Sequence, residues 1–356
     1  MFGKNEQEFT FNNIITKPIL SILRDFSAPV IINRETTNKE NAFLLRNDTN
    51  DFARWEAGQK LALNSIIETI IEQKPIDELY TKSIKSVSNN KNLKPGFKAL
   101  LLKLPTHDTI TDQLLKLNQI VDPLQIHEAL MKTQFEQALI LMDDLPKILN
   151  DLSIQQNQND STEMSGHRDL HTILLKLNTL NDGGELAYQK YFDAENMTNL
   201  QAALIALMHT KHRDEILRSF YESWKNNKLV IDKWFAIQAI ETEPEKALKS
   251  VINLTKHIDF DYTNPNRFRA LISSFCIGNH AGFHHISGNG YRFAADWIIA
   301  QDKVNPQLAA RLSTVFQTYS KQSIERQRLI KQEIIRISLT NNLSIDTKEI
   351  IDRIIS

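Results

Sequence analysis

Apolar residues recur with the period of an α-helix through almost the whole chain after Asn38. Asn50 is suited to cap a helix and Pro75 to end it, and the apolar residues between them fall near one face. A second amphipathic run begins at Leu124. The same period predicts further helices over residues 166–180, 184–193, 197–222, 229–240, 243–257, 265–276, 289–302, 305–318, 321–338 and 345–355.

Many helices joined by short polar links are typical of stacked helical hairpins, as in armadillo and HEAT arrays. The clearest breaks lie at residues 86–94, 152–165 and 181–184. Each hairpin has an apolar face that it cannot bury alone, and the next hairpin covers it. Because no consensus of fixed period is visible, the repeat is one of structure rather than of sequence. The chain is therefore predicted to be an all-α solenoid.

The first 35 residues follow a different pattern. Polar and apolar residues alternate from Glu8 to Phe11, and residues 30–32 form a short β-branched run. Two or three short strands are rarely stable by themselves. These segments are therefore interpreted as the tail of a sheet whose other strands lie elsewhere. We expect a short β fringe at the N-terminus.

Composition narrows the possible partners. The chain has 42 Lys and Arg against 43 Asp and Glu, so no field of one sign favours nucleic acid or an anionic membrane. The single cysteine, Cys276, excludes an intrachain disulfide framework and fits a reducing compartment. No apolar run approaches the roughly 20 residues that span a bilayer, and no signal-peptide core is visible. We expect a cytoplasmic protein without nucleic-acid or membrane partners.

Two Asn-Pro pairs, at residues 264–265 and 305–306, each open an apolar helical run. Asn accepts hydrogen bonds from the free amides of a first turn, and Pro at the first helical position lacks the donor that would stay unpaired. Between the pairs lie four of the ten glycines. They are Gly278, Gly282, Gly288 and Gly290. The pattern predicts two capped helices around a glycine-rich corner.

One arginine lies beyond the first turn of each of these helices, Arg269 on the first and Arg311 on the second. If the helices stack, both guanidiniums would face one cavity, where their forked donors suit a peptide carboxylate or carbonyl. Arg267 competes with Arg269 for this role. The alternative for each is a structural ion pair or a solvated arginine.

Several separated segments resemble the C-terminal part of bacterial aminopeptidase N, a family of zinc exopeptidases. They follow the family's order and extend over nearly the whole chain. The segments are FSAPV at 26–30, RNDTNDFARWEAGQ at 46–59, NMT at 196–198, WKNNKLVIDKWF at 224–235, NPNRFR at 264–269, FH at 283–284, GNGY at 288–291 and NPQLAARL at 305–312.

The resemblance implies an enzyme with an N-terminal β domain, a thermolysin-like zinc domain, a β-sandwich and a helical solenoid that caps the active site. Residues 1–35 then correspond to a remnant of the β-sandwich with its junction, and residues 36–356 to the C-terminal solenoid domain. Arg269 and Arg311 match positions from which the family's arginines face the substrate chamber. His280 stands where the family tends to have proline.

The chain lacks the motif of a zinc peptidase. Such a site needs two histidines one turn apart, a third ligand and a glutamate base, commonly as His-Glu-x-x-His. The only His-Glu pair is His127-Glu128, and the residue four positions after His127 is Met131. We therefore predict no catalytic residue, metal site or cofactor in this chain, and the resemblance places the zinc in the absent catalytic domain.

Two other histidine groups have simpler interpretations. His280, His284 and His285 lie in a glycine-rich stretch without a nearby carboxylate, so a loop with a backbone-bonded histidine is expected. His167 and His171 are four residues apart and are interpreted as a surface pair.

These observations predict the C-terminal domain of a zinc-dependent aminopeptidase, which releases N-terminal amino acids from peptides. The domain would wall the active-site chamber and control peptide access, with the catalytic N-terminal half and the peptide substrate as partners. The alternatives are a stand-alone α-solenoid that binds a peptide or protein, or an inactive gene remnant.

Overall fold

A computed structural model describes the backbone of residues 6–30, 32–156 and 162–355. Part of the polar break expected at 152–165 therefore lies outside the described residues. The α-helices of the described part are α1 (Asn38–Asn47), α2 (Asp51–Glu72), α3 (Glu78–Ser88), α4 (Pro95–Leu102), α5 (His107–Lys116), α6 (Pro123–Leu141), α7 (Leu145–Gln156), α8 (Thr162–Asp182), α9 (Glu185–Phe192), α10 (Met197–Leu207), α11 (Arg213–Trp224), α12 (Lys228–Glu241), α13 (Pro244–Leu254), α14 (Pro265–Phe268), α15 (Ser274–Gly278), α16 (His280–Phe283), α17 (Asn289–Asp302), α18 (Pro306–Ser313), α19 (Ile324–Ser338) and α20 (Ile345–Ile355).

Local capping explains where several of these helices begin. The side chain of Asn50 accepts a hydrogen bond from the Ala53 amide at 3.0 Å and starts α2, as predicted. Thr37 and Glu40 form a reciprocal capping box at α1. The predicted helix 197–222 is in fact two helices, because the chain turns between α10 and α11. There the hydroxyl of Thr210 accepts a hydrogen bond from the His212 amide at 3.2 Å.

The helices pack around one apolar core that extends from Ala42 in α1 to Ile354 in α20, with contacts between successive helices and between helices further apart in the chain. A smaller core around Ile66, Ile110 and Ile126 joins α2, α5 and α6. The all-α solenoid predicted from the periodicity is thereby confirmed. None of the described helices combines the length and the apolar character that a membrane crossing requires.

The solenoid also brings α5 and α6 against the C-terminal helices. Lys321 Nζ lies 2.7 Å from Asp112 Oδ1, and Arg326 Nη2 lies 3.0 Å from Asp122 Oδ1. Arg326 is buried, and its Nε also donates to the carbonyl of His284 at 2.8 Å. We call this contact of α5–α6 with α16 and α19 the seam.

The β fringe is not found in the described part of residues 6–35. These residues contain only a 3₁₀ turn at Arg24–Phe26, and the rest is irregular. A strand needs a partner for its backbone amides and carbonyls, and the described part of the chain supplies none beside this segment. Phe11 and Ile15 remain exposed. The segment is held instead to the link between α1 and α2, where Arg24 pairs with Asp48 at 3.0 Å.

Candidate functional site

Both Asn-Pro pairs cap helices as predicted. Asn264 Oδ1 accepts from the amides of Asn266 and Arg267 at 3.0 and 3.4 Å, and Asn305 Oδ1 accepts from the Leu308 amide at 3.1 Å. The first helix does not continue regularly, because a π-helical turn at Arg269–Ser273 joins α14 to α15. Single π turns occur frequently at functional sites.

Arg267 is built into the protein interior. Its side chain is 5% exposed, and its Nε donates to Asp232 Oδ1 at 2.6 Å. The two terminal nitrogens donate to the carbonyls of Asp259 and Lys228, and the guanidinium lies 4.9 Å from the ring centre of Phe235. These contacts favour the structural ion pair over a substrate-facing role for Arg267.

Replacing Asp232 with Ala should lower the free energy of unfolding by about 2 kcal/mol. The change leaves the Arg267 guanidinium without its carboxylate, and a broken buried pair costs about 3–5 kcal/mol. The lower value reflects the partial exposure of Asp232, whose side chain is 17% accessible. Urea denaturation measures the change.

The matched control is Asp296→Ala, which breaks the exposed pair between Asp296 and Arg336. Such pairs contribute at most about 1 kcal/mol. Equal destabilisation by the two substitutions would contradict the structural role of Arg267.

Arg269 and Arg311 are both exposed, in contrast to Arg267. Arg269 Nη1 donates to Asn266 Oδ1 at 3.3 Å, a contact one turn away on its own helix. No partner of the Arg311 guanidinium is found in the described part of the chain. The helices of both residues pack on α17. Helix α18 contacts α17 directly, and α14 contacts it through the rings of Phe268 and Trp297, whose centres are 6.0 Å apart. Both side chains therefore lie at the surface of the solenoid.

The glycine-rich corner places α16 directly against α17. Gly288 precedes α17 with φ of 70°, a conformation that glycine adopts without strain. The α-carbon of Gly290 packs so closely on α16 that a β-carbon there would lie 2.2 Å from the carbonyl oxygen of Phe283. The close approach at Gly290 thus allows α16 and α17 to pack directly against each other.

The three neighbouring histidines of this corner have three different partners. His284 is buried and its Nδ1 lies 3.0 Å from the hydroxyl of Tyr291. His285 Nε2 lies 3.2 Å from Glu245 Oε2. His280 stacks on His107 of α5, with ring centres 4.3 Å apart. They therefore do not form one cluster with each other.

The surface pair expected at His167 and His171 is not observed. Both residues are buried, with 7% and 4% exposure. They lie on α8, which packs against α4, α6, α7, α9 and α10 and so has little free surface. The burial of these two histidines could not be predicted from their polar side chains.

A cleft lies beside the seam. It has a volume of ≈ 210 Å³ and is lined by residues from α5, α6, α8, α12, α15 and the start of α16, together with His209. A wider cleft of ≈ 460 Å³ shares Met131, Gln134, Lys176 and His209 with it. The sequence gives no sign of either cleft, because the lining residues are distant in the chain. The polar residues of the narrower cleft include His107, His127, Lys176, His209, Glu241 and His280.

Three imidazoles of the narrower cleft, those of His107, His127 and His280, are kept neutral. Burial, together with the nearby His280, lowers the pKa of His107 to about 3. Burial also lowers the pKa of His127 and of His280. Neutral imidazoles have one nitrogen lone pair free to accept a hydrogen bond or to bind a metal.

The clefts also carry charges of both signs. Lys176 Nζ lies 3.2 Å from Glu241 Oε2, and His209 Nε2 lies 3.9 Å from the same oxygen. At the far side of the wider cleft, Lys211 Nζ lies 2.7 Å from Glu185 Oε1. This surface offers donors and acceptors to a zwitterionic ligand such as a peptide.

Known proteins share the architecture of this chain. Residues 38–356 match the family model described as "Domain of unknown function (DUF3458_C) ARM repeats", and residues 1–35 match the model described as "Domain of unknown function (DUF3458) Ig-like fold". The crystal structure of Legionella pneumophila aminopeptidase A in complex with aspartic acid is similar over 98% of this chain, with a TM-score of 0.84 and 29% identity. The match covers 42% of that chain.

Two curated relatives are similar over nearly the same span. Aminopeptidase N of Caulobacter vibrioides is 33% identical over 96% of this chain, and aminopeptidase N of Haemophilus influenzae is 31% identical over 98%. The chain spans only 40% of the length of either relative. The matched family model, the helical architecture and these relatives agree, and the chain belongs to the family of the C-terminal domain of aminopeptidase N.

Proposed function

We propose that this chain serves as the C-terminal domain of a zinc-dependent aminopeptidase, where it walls the active-site chamber and controls the access of peptides. The extent of the match carries the proposal, since nearly all of this chain corresponds to only 40% of its relatives. The catalytic zinc and its ligands belong to the remaining part. This chain supplies no catalytic residue.

The same proposal assigns the domain organisation and the partner. Residues 1–35 contribute to a β-sandwich domain that the preceding part of the enzyme completes, and residues 36–356 form the solenoid domain. The match of the first segment to an Ig-like fold supports this, as do the exposed side chains of Phe11 and Ile15. The partner of the solenoid is then the catalytic N-terminal half, and the ligand is the peptide substrate.

Within the chamber, Arg269 and Arg311 bind the part of the peptide that lies beyond its N-terminal residue. Their guanidiniums are exposed, and each presents a planar fork of donors that fits a carbonyl or carboxylate. Arg267 takes no part in this, because its donors are already bonded within the domain.

In the intact enzyme, Arg311→Ala should lower kcat/KM for peptides of several residues by roughly fivefold, about 1 kcal/mol, as expected for one charge-assisted hydrogen bond in an accessible site. The hydrolysis of an amino-acid amide should be unchanged, because this substrate does not extend to the arginine. Steady-state kinetics on both substrates measure the difference.

Arg218→Ala is the matched control, since Arg218 is an exposed arginine on α11. It should leave both substrates unaffected. A loss of equal size on the amide and the peptide after Arg311→Ala would refute the chamber role of this residue.

The clefts of mixed charge favour one alternative, a stand-alone module that binds peptides without a catalytic half. Such a module would bind peptides in the wider cleft, beside Lys176 and Glu185. Peptide binding by the isolated chain that is abolished by Lys176→Ala, but not by Arg311→Ala, would favour this function over the chamber role.

A further inference from the structure

We propose that His107, Asp108 and His280 form a binding site for a divalent transition metal of the zinc type. One ring nitrogen of each histidine and one carboxylate oxygen of Asp108 all lie within 4.8 Å of one another. Two imidazoles and a carboxylate are a donor set that zinc takes in proteins, with further positions left for water. The site is separate from the zinc expected in a catalytic half, and it does not depend on the proposed aminopeptidase role.

The backbone holds the three ligand residues in place. Thr106 caps α5, with its hydroxyl accepting from the Thr109 amide at 3.2 Å, so His107 and Asp108 lie in a fixed first turn. Asn279 precedes His280, and its side chain donates to the carbonyl of Thr242 at 2.7 Å. Ligands on such restrained segments lose little freedom when an ion binds.

One ring nitrogen of His107 lacks a hydrogen-bond partner. Nε2 of His107 is buried and makes no hydrogen bond, whereas its Nδ1 lies 3.5 Å from the hydroxyl of Thr111. A buried polar atom without a partner is rare in native proteins, and a bound ion is one of the ways in which it is satisfied. The adjoining cleft of ≈ 210 Å³ has room for an ion and its waters.

The two rings are almost parallel, with an interplanar angle of 5°. Their lone pairs therefore run side by side, and coordination requires one imidazole to turn about its Cβ–Cγ bond towards the other. Both rings line the adjoining cleft.

A bound ion would link the two sides of the seam. His107 belongs to α5 and His280 to α16, and these residues are distant in the chain. A ligand that binds only the folded state stabilises it, and here the ion would join two parts of the solenoid directly.

Metal binding can be measured on the 356-residue chain after treatment with a chelator. Calorimetric titration with Zn²⁺ should show one saturable site, and Co²⁺ should give the visible absorption of a nitrogen–oxygen site of low coordination number. Zn²⁺ should also raise the thermal midpoint. Mg²⁺ should neither bind at this site nor raise the thermal midpoint, because imidazole ligands suit transition metals rather than hard cations.

H107A and H280A should each weaken Zn²⁺ binding by at least about tenfold, since even changes outside the ligand set cost that much. D108N, at an exposed position, tests the site without disturbing the core. H285A is the matched control, because His285 lies in the same corner and pairs with Glu245 instead. Circular dichroism without metal identifies any variant that does not fold.

Absence of saturable Zn²⁺ binding by the wild-type chain would overturn the proposal. Unchanged affinity in folded D108N and H280A would overturn it as well. Neither result bears on aminopeptidase turnover, so the failure of this site is distinguishable from failure of the proposed function.

Discussion

The isolated chain is expected to show no turnover of a fluorogenic amino-acid amide, with or without added zinc. A zinc peptidase needs two histidine ligands one helical turn apart and a glutamate that activates water. Met131 stands where the second histidine of the only His-Glu pair would lie. The rate should therefore equal that of the uncatalysed reaction, at least about 10⁶-fold below that of an enzyme.

The same assay should include the catalytic half alone and a mixture of the two parts. If this chain walls the chamber, mixing should change the hydrolysis of longer peptides more than that of the amide. Zinc-dependent turnover by this chain alone would contradict the proposed role. A mixture that behaves as the catalytic half alone on every substrate would favour the stand-alone module.

Gly290→Ala is expected to reduce the free energy of unfolding by about 3 kcal/mol or more, the upper end of penalties for inserting atoms into a packed interior. The added β-carbon would lie 2.2 Å from the carbonyl oxygen of Phe283, so α16 and α17 would have to move apart. The three nearest atoms are all backbone atoms of Phe283 and cannot rotate away. Thermal and urea denaturation measure the loss.

Gly183→Ala separates this clash from the general effect of losing a glycine. Gly183 has φ of 69°, and a β-carbon there would meet nothing within 4 Å. This substitution should cost only about 1 kcal/mol, the strain of a left-handed alanine. Equal losses in the two variants would show that the close approach of Gly290 to α16 does not limit stability.

Local features of the fold were predictable from sequence because their hydrogen bonds span only a few residues. The caps of Asn50, Asn264 and Asn305 are examples, since each side chain bonds an amide two or three positions later. The continuous helical period predicted the all-α class for a similar reason. The β fringe is not found in the described residues, because an extended strand depends on a neighbour outside its own segment.

The roles of polar side chains were much harder to predict. Arg267 and Arg269 are two residues apart on one helical stretch, yet one is buried against Asp232 and the other is exposed. His167 and His171 have a spacing that fits a surface or a core equally well. Burial depends on which helices pack around a residue, and the local sequence does not specify those partners.

By itself, the sequence determined the helical class, the capped starts of the two C-terminal helices and the lack of a His-Glu-x-x-His motif, because all three are properties of neighbouring residues. Only the tertiary structure decided that α5 meets α16, that His107 stacks on His280 and that Arg267 is enclosed while Arg311 is exposed. Those arrangements follow from packing between helices far apart in the chain, where close fit and burial rather than local hydrogen bonds select the neighbours.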